Sequence, residues 1–225
     1  MNVHGPILGL MVHAKITSPD MNQLTSEIAT LAARLVVEDG LEYGAAKRRA
    51  VKQLGLPART ALPGNDELDS EVHDYISIFC GDTQPGELLA LRRHALMWME
   101  RLTDFRPHLG GAVWRGTATR LSDIHLQLFC DDAKMAEMAL INWRVKYEAR
   151  TVPGFKGLSV DCLSVHSQCP GLNEEVGVHL AIYDFDDLRG ALRTDARGLP
   201  RRGTQDAVRR LLLDSAHNER LHAAP

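Results

Sequence analysis

Aromatic residues are scarce in this 225-residue chain, only 5% of the total, so stacking of bases on an aromatic platform is not its theme. Charge of one sign is not in excess either. With 26 Lys and Arg against 29 Asp and Glu, the net charge is −3, and no global positive field draws the chain to nucleic acid or an acidic membrane. The four cysteines, Cys80, Cys130, Cys162 and Cys169, form no Cys-x-x-Cys pair, which excludes a zinc ribbon or finger and predicts reduced thiols in a cytoplasmic protein. No apolar run approaches the ~20 residues of a membrane span, so no membrane partner is expected. A P-loop, a Gly-x-Ser-x-Gly elbow and a His-Glu-x-x-His motif are all missing, which removes the chemistries those motifs carry.

What is present divides into two textures. Residues 1–20 end in Ser18-Pro19-Asp20 and read as a flexible extension. From 21 to 103 the apolar spacing is helical. Helices are expected over Glu27–Val37 and over Tyr43–Leu54, the second closed by Gly55 and Pro57; a third follows the cap Asn65, and a fourth carries Leu88, Leu91, Ala95 and Met99. The basic triplet Lys47-Arg48-Arg49 reads as a solvated helix face. After Phe105 the period falls to two. Ile124, Leu126 and Leu128 alternate with His125, Gln127 and Phe129, and further strands are expected over Val145–Thr151, Leu158–His166 and Val176–Tyr183. Helices are expected over Lys134–Trp143, Asp186–Leu192 and Thr204–His217. The fold class is α+β: a helical region over 21–103, then a small mixed-sheet domain over 104–225.

One segment carries chemistry. Over Leu109 to Leu126 a Gly-Gly turn at Gly110-Gly111 precedes Arg115-Gly116, and Ser122-Asp123-Ile124-His125 follows. A glycine turn lets backbone N–H groups approach a phosphate, and Arg115 adds a cation. Asp123 and His125, two apart on a strand, share one face, as two ligands of a single metal must. Asp161 on a later strand is the expected third ligand, with Asp184 as its rival. Trp114 and Trp143 read as packing residues, and the arginine-rich stretch from Arg189 to Arg210 reads as a solvated face or a contact for triphosphate or RNA backbone.

The run from Gly111 through Arg115-Gly116 to Ser122-Asp123-Ile124 resembles the signature of the DNA polymerase β-like nucleotidyltransferase superfamily, especially its small bacterial members. The resemblance implies a short mixed sheet backed by helices. It also implies transfer of a nucleoside monophosphate from an NTP to an acceptor (RNA, protein or small molecule) with Mg²⁺ or Mn²⁺. In that reading Asp123 and Asp161 are catalytic and, with His125, hold the metal, while Gly111, Ala112, Arg115 and Ser122 frame the nucleotide. Two positions depart from the signature: Ala112 stands where the family has Ser, and His125 stands where it has the second metal-binding Asp. Mg²⁺ prefers oxygen ligands, so the alternative reading is a catalytically silent member that binds nucleotide or a protein partner.

Overall fold

The computed structural model describes residues 18–191, 194, 198 and 200–222. Four helices come first: α1 (Ser18–Asp39), α2 (Tyr43–Gln53), α3 (Asn65–Phe79) and α4 (Gln84–Arg101). Ser18, Pro19 and Asp20, the end of the expected extension, form the first turn of α1; residues 1–17 lie outside the described residues. α1 buries Ile28, Ala32, Leu35 and Val36 at helical spacing against Ala46 and Ala50 of α2 and Leu68 and Val72 of α3. Lys47 does not sit on a solvated face. It is 6% exposed, and its Nζ donates to the Pro63 carbonyl and to Asn65 Oδ1, each at 2.7 Å.

The remainder is β1 (His108–Gly110), α5 (Gly111–Arg115), β2 (Ile124–Cys130), α6 (Ala133–Asn142), β3 (Glu148–Pro153), β4 (Ser159–Cys169), β5 (Glu174–Asp184), α7 (Leu188–Ala191), β6 (Gly203–Thr204) and α8 (Gln205–His222). The strands form one mixed sheet of order β3-β4-β5-β2-β1-β6. Only the β2–β5 pair is parallel, with His125 level with His179; the other pairs are antiparallel. The architecture is therefore α+β.

Alternation splits the sheet into two faces. Leu126, Leu128, Leu163, Val165 and Leu180 point to one, where α4, α6 and α8 cover them through Leu91, Met99, Leu140 and Val208. The packing thus divides between α3 and α4, one helix before the compositional change near residue 103. The other face carries His125 and His179, and beyond them the stacked rings of Phe129, Tyr183 and Phe155.

Candidate functional site

The site is built where β1, α5 and the start of β2 meet the helical region. Gly111 opens α5 at φ +67, a backbone conformation that side chains resist, and a Cβ there would lie 3.1 Å from the His125 ring. Ala112 follows it, and its carbonyl accepts the N–H groups of Gly116 and Thr117, closing the short helix. Ser122 Oγ accepts the Thr119 N–H at 3.0 Å in the turn that delivers Asp123 to β2.

Asp123 and His125 do share a face, and a third residue joins them from the parallel neighbour strand. Asp123 Oδ2 lies 2.9 Å from His179 Nε2, and Asp123 Oδ1 accepts the Gly177 N–H at 3.1 Å. His179 Nδ1 lies 2.9 Å from Ser164 Oγ and 3.1 Å from Arg150 Nη2. An arginine can only donate, so Nδ1 is the acceptor and Nε2–H donates to Asp123. The His179 hydrogen bond holds the Asp123 carboxyl below the usual carboxylate range, although burial opposes the shift. His125 turns away from Asp123. Its Nε2 meets Glu42 Oε1 at 2.9 Å, and this hydrogen bond likewise lowers the Glu42 carboxyl.

Asp161 does not join them. It stands on β4 with Leu163 and Val165, on the helix-covered face of the sheet, beside Lys134 and Glu137 of α6. By register it is level with Leu128, so it lies about 16 Å along the strands and about 10 Å across them from Asp123, on the opposite face. The expectation of a third ligand there is corrected by a one-residue matter of strand parity: even positions of β4, such as Ser164, face the site, and odd ones do not. Asp184 fares no better, because its Oδ1 accepts the Asp186 N–H at the end of β5.

The donor set does not fit Mg²⁺. The two carboxylates here are both engaged, Asp123 by Gly177 and His179 and Glu42 by His125, and two imidazoles stand between them where the ion requires hard oxygen ligands. Among the described residues no group of three or more His, Cys, Asp or Glu is arranged to hold a metal ion.

Arg115 lies apart from these groups, in a cleft of about 470 Å³ between the helical region and the sheet. Tyr43, Asp69, Arg92, Gly111 and Arg202 share its wall. Arg115 Nε donates to Asp69 Oδ1 at 2.7 Å, and its guanidinium lies 4.7 Å over the Tyr43 ring. Burial works against the Arg115 charge, but Tyr43 and Asp69 outweigh it and raise the pKa. Arg92 Nε and Nη2 donate to the carbonyls of Val113 and Trp114 at the end of α5. Arg202 donates to Gln127 Oε1 and covers the Phe155 ring. From the arginine-rich stretch, Arg201 and Arg202 reach the cleft, whereas Arg209 pairs with Glu100 and Asp206; Arg193 and Arg197 lie outside the described residues. Trp114 and Trp143 both pack against the main core, the first with its ring against Gly203 and the second covered by Arg101, and Trp114 also lines the cleft.

The sequence reading passed over His179, although a signal was there: it interrupts an apolar strand as His125 does. Glu42, Tyr43 and Asp69 carried no signal, because nothing local marks which face of a helix meets a distant strand.

No protein-family model matches the chain, and no curated protein matches it. Among solved structures it is similar to "Structure of Cid1 in complex with the UTP analog UMPNPP", at 15% identity and a TM-score of 0.30, over 65% of this chain and 42% of that one. The chain thus spans under half the length of that protein, and at this TM-score the likeness does not establish a common fold.

Proposed function

We propose that the chain binds a nucleoside triphosphate in the cleft between α2–α3 and the sheet, and that it does so without two-metal nucleotidyl transfer. One observation carries the reading. Where the resemblance implies three carboxylates, the face offers Asp123, His125 and, level with His125 on the adjacent strand, His179. A two-ion site neutralises the charge of a transferring phosphoryl group through metals bridged by carboxylates. Two imidazoles in their place remove two negative charges, and the hydrogen bond between His179 and Asp123 engages the carboxylate that is left.

The cleft supplies what binding requires. Its volume suits a small ligand, and Arg92, Arg115, Arg201 and Arg202 outnumber Asp66 and Asp69 along its wall beside the Gly110-Gly111 turn. The Glu42–His125 bridge lies next to the Gly111 turn, since a Cβ on Gly111 would lie 3.1 Å from the His125 ring.

The test is thermal stabilisation by each NTP with and without Mg²⁺ or Mn²⁺, followed by transfer of label from α-labelled NTP. Stabilisation without a metal requirement, no label transfer, and unchanged binding in Asp161→Asn are expected. Metal-dependent label transfer that disappears in Asp123→Asn would overturn the silent reading and restore the transferase one.

A further inference from the structure

We infer that Asp69 is a built-in competitor for the anion-binding groups of the cleft, so that a polyphosphate enters by displacing it; this rests on the nucleotide reading above. Asp69 comes from α3, on the helical side, and is 6% exposed. Its Oδ1 accepts from Arg115 Nε at 2.7 Å and from the Tyr43 hydroxyl at 2.6 Å, while His73 Nε2 lies 3.8 Å from Oδ2. Burial pushes the Tyr43 hydroxyl up to about 12, so it remains a donor at neutral pH. A guanidinium and a phenol donating to one oxygen, with an imidazole 3.8 Å from the other, form the set of groups that a phosphate would meet. Here an internal carboxylate meets it.

The contact also joins the two halves of the molecule. Tyr43, Asp69 and His73 belong to the α1–α3 cluster, and Arg115 belongs to the sheet half. A ligand with more than one negative charge competes with a single carboxylate for Arg115, and on winning it releases α3 from α5. Occupancy of the cleft is thereby coupled to the seating of the helical region. A cross-tie with no such role would behave differently: its removal would lower stability and leave anion affinity where it was.

The experiment titrates inorganic tripolyphosphate and ATP into the full chain as wild type, Asp69→Asn and Asp69→Ala, with circular dichroism to verify folding. Asp69→Asn should bind tripolyphosphate on the order of tenfold more tightly, as expected when a competing state held most of the population. Asp69→Ala, which removes the side-chain acceptor and leaves every donor in place, should gain in the same direction. Equal or weaker tripolyphosphate affinity in folded Asp69→Asn overturns the competitor, even if ATP binds all three proteins alike and the nucleotide reading stands. Tighter tripolyphosphate binding with no binding of ATP supports the competitor and removes the nucleotide. No binding of either ligand by any of the proteins overturns both. Should Asp69→Asn fail to fold, Asp69→Ala decides: a gain supports the competitor and no gain overturns it.

Discussion

Asp123 keeps its position because residue 177 has no side chain. A Cβ on Gly177 would lie 2.5 Å from Asp123 Oδ1, in the space where the Gly177 N–H now donates to that oxygen. Gly177→Ala therefore has to expel the carboxylate, breaking its bonds to Gly177 and His179 together. The expected cost is about 1–3 kcal/mol, the range for leaving such groups unpaired. Urea denaturation measures it, and the reason is checked by repeating the substitution in an Asp123→Ala background. With the carboxylate gone the alanine should cost much less, and additive costs would show that Asp123 is not what the glycine accommodates.

At the scale of elements, the loop between α2 and α3 is held from inside. Lys47 spends its ammonium on the Pro63 carbonyl and on Asn65, the first residue of α3, and burial lowers its pKa. Lys47→Met keeps the apolar stem and removes both donors. It should destabilise the chain by about 2 kcal/mol, with faster amide exchange at the start of α3; unaltered exchange there would mean the staple does not hold the helix. The same scale shows where sequence patterns suffice. α2, α3 and α4 lie where their apolar spacing puts them, since each has enough turns for the period to show. β1 and β6, of three and two residues, are too short to show alternation and exist only by pairing with their neighbours. β3 starts at Glu148, not Val145, because Arg144 takes φ +57 and Val145 and Tyr147 pack against the main core ahead of the strand.

For the whole molecule, two histidines tie the fold to pH. His94 is buried with its Nε2 3.0 Å from Ser167 Oγ, and His108 is buried with Nδ1 2.9 Å from the Arg106 carbonyl. Burial lowers the pKa of each below the ordinary histidine value of 6.5. Below that value the unfolded chain takes up protons that the folded chain refuses. The stability contributed by neutral His94 and His108 is therefore present above 6.5 and lost as pH falls toward their folded values. The Tm should hold steady above about pH 7 and decline from there toward about pH 5, within the range where histidine titrates. His94→Gln should flatten the decline, and a slope unaffected by that change would place the proton uptake elsewhere.

The sequence by itself determined the local periods, and with them the helices, the β2 and β5 alternation and the placing of Asp123 and His125 on one face. These depend on spacing of two or 3.6 residues, which is written in the chain. Only the tertiary structure decided which residues from distant segments share that face. Asp161 fell on the wrong side because parity counts from a strand's register with its neighbours, which no single segment encodes. His179 took the place beside Asp123 because β5 pairs with β2 in parallel and in step. Glu42, Tyr43 and Asp69 reached His125 and Arg115 because the α1–α3 cluster docks on this edge of the sheet. Docking depends on the summed shape and charge of two surfaces, and that sum is formed only after both have folded.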